Sequence, residues 1–283
     1  MLKYNGGKSR EIPLLIPHVP MFTGRYIEPF LGGGALFFFL EPKKAIINDI
    51  NDKLMSFYNE VRDNFSSLRE ELDTVEKIYS DNRNDFLALK RQHPNEHVEN
   101  RNETLYYKMR SMFNGLIPKE YSDALIYLFI NKTAYSGMIR YNSRGEFNVS
   151  FGHYPHLNTE TVTLSHSYLL RCSELYHSSY ETIFNMSLPD DFIFLDPPYD
   201  RVFSDYGNKE YKDGFNENDH RKLYQDFINL TCKTLMVISK TPLTQELYGK
   251  HVISQYQKNY AYNIKNRFKT SATHLIVSNY NTP

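Results

Sequence analysis

Residues 193–199 read Ile-Phe-Leu-Asp-Pro-Pro-Tyr, and the rest of the sequence is organised around this stretch. The apolar run 192–195 predicts a buried strand that ends at Asp196. Two consecutive prolines then fix φ and remove two backbone donors, so no helix can follow directly. The carbonyl groups of Asp196 and Pro197 are therefore expected to lack ladder partners at the end of a strand.

A carboxylate, a fixed carbonyl group and an aromatic ring thus fall within residues 196–199. The Asp196 carboxylate and the Pro197 carbonyl can accept the two N–H bonds of an exocyclic amine, while Tyr199 stacks on a planar base. The alternative is a strand followed by a Pro-Pro turn, with Asp196 as a turn former. The tetrapeptide alone does not distinguish these two interpretations, so the motifs in the rest of the chain are needed.

A strand, a glycine loop and a helix are predicted near the N-terminus. Residues 26–34 read Tyr-Ile-Glu-Pro-Phe-Leu-Gly-Gly-Gly and lead into a helix over residues 35–40, which is typical of a doubly wound nucleotide-binding sheet. The apolar stretch 45–47 predicts the next strand, which ends at Asn48 and Asp49. In such sheets an acidic residue at this position hydrogen-bonds the hydroxyl groups of a bound ribose. The alternative is that Asp49 caps the helix that begins near residue 52.

The segment 138–151 has the pattern of a β-hairpin, because two apolar runs flank the turn residues 142–145. Its arginine, asparagine and tyrosine side chains are of the kinds that read base edges and stack. The alternative is a plain β-ribbon with one polar face.

The remaining pattern predicts a mixed α/β chain with two domains. Residues 52–130 read as mostly helical, with the polar stretch 73–104 expected to be a surface region with loops. Further strands are predicted at 175–177, 234–239 and 273–278, the last of them as an edge strand. Crossover units of about 30 residues do not fill the distance between the glycine loop and Asp196, which leaves room for an inserted domain.

Composition does not indicate a generally basic nucleic-acid-binding protein, a disulfide or metal framework, or a membrane-spanning protein. The 283 residues carry 33 basic and 33 acidic side chains, so no global field indicates a nucleic acid partner. Residues 247–283 contain no acid, and lysines from Lys258 to Lys269 alternate there with aromatic residues, as in a phosphate-binding surface. The two cysteines lack metal-ligand spacing and favour a reducing cytoplasm. No apolar run reaches the length of about 18 residues needed to span a membrane.

Four motifs, taken in order, resemble those of the Dam-like DNA adenine-N6 methyltransferases. They are the Lys-Tyr-Asn-Gly-Gly-Lys box at 3–8, the Glu-Pro-Phe-Leu-Gly-Gly-Gly loop at 28–34 with the acid at 49, the hairpin at 140–149, and the tetrapeptide at 196–199. The resemblance implies a doubly wound, Rossmann-like sheet, formed by residues 1–60 and 161–283, that binds S-adenosylmethionine. It also implies an inserted, mainly helical DNA-recognition domain, residues 61–160, that carries the β-hairpin.

The resemblance further implies methyl transfer to N6 of an adenine flipped out of a short specific sequence of double-stranded DNA, GATC or a related site. No metal is implied, and we expect a monomer in the cytoplasm, associated with the nucleoid. Catalysis is assigned to Asp196, Pro197, Pro198 and Tyr199. Cofactor binding is assigned to Tyr4, Gly7, Lys8, Glu28, Pro29, Phe30, Gly32, Gly34, Asp49, Ile50 and Asp196. DNA binding is assigned to Lys3, Tyr135, Ser136, Gly137, Arg140, Asn142, Arg144, Asn148 and Tyr154.

The sequence departs from the family pattern where DNA is read. Ser136 stands where the family more often has Asn, Ser150 where Pro is usual, and His153 where a basic residue is usual. These changes leave the chemistry intact and put the GATC target in doubt.

Two alternatives stay open. One is a methyltransferase that acts on an exocyclic amine of RNA or on a protein glutamine, against which the acid at 196 and the hairpin argue. The other is a DNA-binding relative without catalysis, against which the intact tetrapeptide and glycine loop argue.

Overall fold

The computed structural model describes residues 1–4, 6–199, 215–260 and 270–281. The chain forms two compact units. The helical unit comprises residues 1–7 and 52–171, and the sheet unit comprises residues 8–51 and 172–283.

The sheet has seven strands in the described part of the chain. The strands are β1 (Tyr26–Glu28), β2 (Ala45–Asn48), β3 (Ser173–Tyr176), β4 (Phe192–Leu195), β5 (Lys233–Ser239), β6 (Val252–Tyr260) and β7 (Thr270–Ser278). The α-helices are α1 (Ile12–Leu15), α2 (Ala35–Leu40), α3 (Asp52–Asp63), α4 (Phe65–Gln92), α5 (Arg101–Phe113), α6 (Asp123–Thr133), α7 (Leu164–Arg171), α8 (Tyr180–Phe184), α9 (Glu217–Asn229) and α10 (Pro242–Tyr248).

The strand order is β3-β2-β1-β4-β5-β7-β6, so the expectation of a mixed α/β sheet is confirmed. The five neighbouring strands β3, β2, β1, β4 and β5 all run parallel, whereas β7 runs antiparallel to both β5 and β6. Strand β1 pairs with β2 on one side and with β4 on the other. Successive strands are therefore added on one side of β1 up to β3 and on its other side from β4 onward, so the strand order switches between β1 and β4. Open sheets of this kind bind ligands beyond the carboxyl ends of the strands at such a switch point.

The central strands of this sheet are buried, and their residues are mostly apolar, with polar side chains at the ends of β1 and β2. All four residues of β4 are buried, as are all four of β2. On one face Met236 and Ile238 pack in a core with Phe227 of α9 and Tyr248 of α10. Burying each such side chain stabilises the fold by about 1.5–3 kcal/mol, which fixes the strand ends that carry the predicted motifs.

Strand β7 was predicted as an edge strand, and this prediction is wrong. It lies between β5 and β6, and β6 forms the edge. The sequence did not predict β6 because its residues from 254 onward are polar or aromatic and lack an apolar core face. The antiparallel ladder with β7, from Val252 to Tyr260, holds this strand in place instead.

The helices α3 to α6 of the helical unit agree with the mostly helical pattern of residues 52–130. Within that range the polar stretch 73–104, expected to be a surface region with loops, is helical as far as Gln92 as part of α4, a helix of 28 residues, and forms a loop at 93–100. The apolar residues of α4 recur at three- and four-residue intervals, and Leu68, Leu72, Val75 and Tyr79 are buried. The polar majority lies on the remaining surface, which is why composition alone indicated loops. Within the described ranges no helix is long and apolar enough to cross a membrane.

The predicted hairpin differs from a regular β-ribbon. Only two isolated bridges form, between Ala134 and Phe151 and between Tyr141 and Phe147. The turn itself is closed by hydrogen bonds from the Asn142 amide to the Glu146 carbonyl at 2.9 Å and from the Asn148 amide to the Arg140 carbonyl at 3.1 Å. We call residues 134–154 the hairpin segment.

Candidate active site

Asp196 lies directly after β4 and is paired with Lys8, which precedes α1. The Lys8 Nζ donates to both carboxylate oxygens of Asp196 at 2.7 Å and to the Tyr199 hydroxyl at 2.5 Å. The Tyr199 hydroxyl in turn donates to Asp196 Oδ1 at 3.1 Å. The side chain of Lys8 is 3% exposed and that of Asp196 is 22% exposed. The ion pair therefore neutralises the carboxylate while leaving part of it open to a substrate.

Tyr199 is a buried ring in this structure, at 5% exposure. It packs edge-on against His274 with ring centroids 5.1 Å apart, and the Lys8 Nζ lies 5.0 Å from its centroid. Pro197 is buried and Pro198 is half-buried. The ring is held by its neighbours on β7 and before α1, so its position is fixed before any base arrives.

The glycine loop between β1 and α2 is tied to the end of β2 by Asp49. The Gly32 amide donates to Asp49 Oδ2 at 2.8 Å, and the Asn51 amide donates to Oδ1 at 2.9 Å. Gly34 adopts φ +62°, and a Cβ there would come within 2.8 Å of the Phe38 ring. Glycine is required at this position because both the backbone conformation and the close approach exclude a side chain.

Asn48 joins three strand ends, a role that the sequence did not reveal. Its Nδ2 donates to the carbonyls of Pro29 and Ser178 at 2.9 Å, and its Oδ1 accepts from the Ser178 amide at 2.9 Å. The side chain is 1% exposed, so these bonds satisfy a buried amide. They hold the ends of β1, β2 and β3 in register beside Asp49.

Glu28 is a buried acid at the end of β1. Burial, followed by the charges of Asp196 and Asp49, raises its pKa well above the usual value, although a hydrogen bond from the Tyr26 hydroxyl at 2.7 Å acts in the opposite direction. Asp49 and Asp196, which follow β2 and β4, therefore act together with burial to favour the protonated form of Glu28.

Two other predicted cofactor residues also lie at this edge of the sheet unit. The half-buried Phe30 packs against Tyr180, with ring centroids 5.4 Å apart. The Ile50 carbonyl hydrogen-bonds the His177 ring at 3.0 Å. Tyr4 and Gly7, by contrast, belong to the helical unit, where the Gly7 amide donates to the Tyr4 carbonyl at 3.0 Å.

In the helical unit, the predicted base-reading side chains are engaged with one another. The Arg140 Nε donates to Asn148 Oδ1 at 2.9 Å, and Arg140 is exposed. Asn142 holds the turn, because its Oδ1 accepts the amides of Arg144 and Glu146 at 3.0 Å. Arg144 pairs with Glu146 at 3.3 Å and is 79% exposed. Arg140 and Arg144 are thus the accessible cations of the turn, while Asn142 shapes it.

Lys3 packs within the same unit beside the hairpin segment. Its Nζ donates to the Lys132 carbonyl at 2.7 Å and lies 3.5 Å from the centroid of the Tyr154 ring. Burial lowers the pKa of Lys3. Gly137 adopts φ +63° against the Lys3 stem, and the neighbouring Ser136 has φ +55°.

Tyr135, by contrast, is 54% exposed. Lys3, Gly137 and Tyr154 are therefore brought together by the fold, and Tyr135 presents its ring outward.

A partly buried polar cluster next to Tyr199 was not predicted from the sequence. It consists of Glu11, Tyr256, Lys258 and His274, and we call it the Glu11 cluster. Lys258 had been predicted to contact phosphate, but in the structure it pairs with Glu11. The rest of that basic stretch, residues 261–269, lies outside the described residues.

Comparisons with known proteins show which family the chain resembles. The model of the D12 class N6 adenine-specific DNA methyltransferases matches residues 4–264. The type II methyltransferase M.CviBI of Paramecium bursaria Chlorella virus NC1A is 31% identical over 288 residues, covering 99% of both chains. The type II methyltransferase M.MjaIII of Methanocaldococcus jannaschii is 31% identical, covering 88% of this chain and 86% of its own.

A DNA adenine methylase of Haemophilus influenzae is 27% identical over 74% of this chain and 68% of its own. The expected likeness to Dam-like enzymes is thereby confirmed. The family match runs from the box that contains Lys8, through the glycine loop, to Asp196 and beyond, and so includes the paired groups described above. The chain therefore belongs to the D12 class of N6 adenine-specific DNA methyltransferases.

Proposed function

We propose that this adenine-specific DNA methyltransferase takes its methyl group from S-adenosylmethionine. We further propose that it acts on an adenine flipped out of a short specific site in double-stranded DNA, GATC or a related sequence. The observation that carries the proposal is the hydrogen-bonding state of Asp196. A carboxylate oxygen can accept two hydrogen bonds. Among the described residues, Oδ1 accepts from Lys8 and Tyr199 but Oδ2 accepts from Lys8 alone.

One acceptor direction on Oδ2 is therefore open, and no hydrogen bond from the described residues reaches the Pro197 carbonyl. These two acceptors match the two hydrogens of an adenine N6 amine. Held by both, the nitrogen is oriented for attack. Bound S-adenosylmethionine would supply the methyl group, with its methyl–sulfur bond breaking to leave a neutral thioether. As the nitrogen–methyl bond forms, positive charge develops on N6, and the Asp196 carboxylate would stabilise this charge and then accept one N6 proton.

The residues at the strand ends fit S-adenosylmethionine, which supplies an electrophilic methyl group on a positively charged sulfur. Asp49 contributes a carboxylate at this edge, and a negative charge there suits a cationic donor. Asp49 lies where an acid grips a ribose, beside a glycine loop that permits close backbone approach. Phe30 offers an aromatic surface at the same edge.

We assign target recognition to the helical unit, which contains residues 61–160. Support comes from the exposed Arg140 and Arg144 and from the partly exposed Asn148 and Tyr154, whose chemistry suits base edges. Lys3, Ser136, Gly137 and Tyr135 belong to the same proposed surface. A cytoplasmic location is supported by the two free cysteines, which are typical of a reducing compartment, and we propose that the enzyme acts there as a monomer.

The test is expression in a host that lacks DNA methylation, followed by modification-sensitive sequencing of its DNA. We expect N6-methyladenine in one short sequence context, and none from the Asp196→Ala variant expressed at the same level. Purified Asp196→Ala should still bind S-adenosylmethionine. Methylation that persists in the variant would remove Asp196 from the mechanism, and folded wild-type protein that leaves DNA unmodified would identify an inactive relative.

A further inference from the structure

Glu11, the residue after which the Glu11 cluster is named, is a buried acid three positions after Lys8. Tyr256 and Lys258 lie on β6, and His274 lies opposite Tyr256 on β7. The Tyr256 hydroxyl and the Lys258 ammonium both donate to the Glu11 carboxylate. The His274 Nδ1 is 3.3 Å from the Tyr256 hydroxyl and 3.7 Å from Glu11 Oε2. Glu11 and His274 are 6% and 0% exposed, whereas Tyr256 and Lys258 are half-buried, so the network extends from the interior toward the surface.

The cluster is costly to bury unless it is well paired, and its pairing is extensive. Burial alone would raise the pKa of Glu11, but His274, the charge of Lys8, Lys258 and Tyr256 together lower it to about 2. Apolar side chains of similar volume would fill such a site at no desolvation cost. A charged network in this place is therefore explained better by a requirement for position than by stability.

One end of the cluster fixes the backbone that carries Lys8. The Glu11 and Ile12 amides both donate to the Lys8 carbonyl, at 2.7 and 3.0 Å. Helix α1, which starts at Ile12, has only four residues, too few to hold its own geometry. The anchoring of the Glu11 side chain to β6 therefore determines where this turn, and the Lys8 it begins with, is held.

The other end of the cluster fixes the ring of the catalytic tetrapeptide. His274 meets Tyr199 edge-on at 5.1 Å and 73°. The hydroxyl of that ring is bonded to both Lys8 and Asp196. The cluster thus reaches Asp196 by two routes, one through Lys8 and one through Tyr199.

We propose that Glu11, Tyr256 and His274 are positioning residues for methyl transfer, which hold Lys8 and Tyr199 against Asp196 without touching the substrate. The inference rests on the proposed catalytic role of Asp196. Displacing catalytic groups by about 1 Å can cost on the order of 100-fold in rate. The network should therefore affect the chemical step far more than the binding of either substrate.

The test compares Tyr256→Phe and Glu11→Gln with the matched variant Tyr248→Phe. Tyr248 lies in the same unit and is fully buried, whereas Tyr256 is half-buried, and the Tyr248 hydroxyl has no hydrogen-bond partner among the described residues. We expect single-turnover methylation to fall about 10- to 100-fold in both cluster variants. Dissociation constants for S-adenosylmethionine and DNA should stay within about twofold, and Tyr248→Phe should match the wild type.

The energetic coupling between the Glu11 and Tyr256 substitutions distinguishes a positioning role from a merely structural one. If Glu11 and Tyr256 act as one unit, the double variant should be no slower than the slower single variant, whereas adding Tyr248→Phe to Glu11→Gln should change nothing. Rates that multiply in the double variant, or a wild-type rate in Tyr256→Phe, would overturn the inference.

Two features keep the outcome decisive. Glu11→Gln leaves Lys258 without its carboxylate and can fail to fold, in which case Tyr256→Phe, which removes a single oxygen atom, decides the matter. Asp196→Ala is measured alongside. If that variant stays active, the proposed mechanism fails; if it is inactive and the cluster variants are fast, only the positioning role fails.

Discussion

At the scale of single residues, Asp49 serves two segments with one carboxylate. Sequence left open whether it binds a ribose or caps the following helix. The structure shows Oδ2 bonded to the glycine loop and Oδ1 to the amide of Asn51, the residue before α3. Asp49 therefore ties the glycine loop to the segment that leads from β2 into α3.

We expect Asp49→Ala to weaken S-adenosylmethionine binding by about 1–3 kcal/mol, the cost of losing charged hydrogen bonds. Isothermal titration of the purified protein measures this directly. Asp49→Asn should lose less, because the amide keeps one acceptor for the glycine loop. An unchanged dissociation constant in Asp49→Ala would limit the residue to a local backbone role.

Glu11 links the stability of the fold to pH. Its folded pKa of about 2 lies below the ordinary 4.5, so its ionised contacts stabilise the fold above the ordinary value and lose that effect as the pH falls through about 2. We expect the free energy of unfolding of wild type, relative to Glu11→Gln, to drop by up to about 3 kcal/mol between about pH 5 and pH 2.

Urea unfolding at a series of pH values measures this difference. The exposed Glu246, paired with Arg221 at 2.9 Å, provides the control, because solvent screens its ion pair and Glu246→Gln should change the curve little. Parallel curves for wild type and Glu11→Gln would show that the Glu11 contacts do not contribute to stability.

At the scale of elements, side chains of helix α5 and of Asn114 directly after it hold the hairpin segment in place, because the segment itself forms two isolated β-bridges and no regular ladder. The Tyr106 hydroxyl and an Arg110 nitrogen donate to the Val149 carbonyl at 2.9 and 3.0 Å. The side chain of Asn114 exchanges two bonds with the backbone of Phe147, at 3.0 and 2.8 Å. The segment is therefore presented by side chains of a neighbouring helix rather than by a β-ladder.

Arg140 stands at the exposed side of this segment, and we expect it to read a base. Arg140→Ala should relax preference at one base pair by about 1–3 kcal/mol, the usual worth of a bidentate arginine–guanine contact. The measurement compares steady-state methylation of the preferred site with that of each single-base variant. Arg91→Ala, at the exposed end of α4, is the charge-matched control. Equal loss on every variant site would make Arg140 a backbone clamp.

Local patterns predicted these elements well where apolar periodicity was strong. Strands β2, β4 and β5 fall within one residue of their predicted ends, because a run of apolar residues forms the middle of each buried parallel strand. Strand β6 was missed, and loops were expected within the polar part of α4, because polar side chains dominate both segments. The pairing of Lys8 with Asp196 could not be predicted either, since a contact between distant parts of the chain depends on strand order, which neither motif encodes.

At the scale of the molecule, the formal charge is zero, yet the C-terminal stretch is basic. We expect this stretch to contact phosphate without reading sequence. Lys265→Ala combined with Lys269→Ala should weaken binding to all DNA sequences alike and reduce the slope of log affinity against log salt by about 0.9 for each phosphate that is no longer neutralised. Binding at several salt concentrations, on the preferred site and on a scrambled duplex, measures this. Weaker binding to the preferred site alone would assign these lysines to sequence reading.

The order of the strands also has a consequence for how the chain is made. Strand β1 pairs with β2, which follows shortly, and with β4, which emerges from the ribosome only after the whole helical unit has been synthesised. Until then one edge of β1 has no partner, and an unpaired edge can template association with other chains. Long-range pairing of this kind is slow, because the entropy of closing the long loop is lost before the strand contacts form and stabilise the pair. Nascent chains that stall between residues 171 and 192 should therefore be the form of this enzyme most dependent on chaperones.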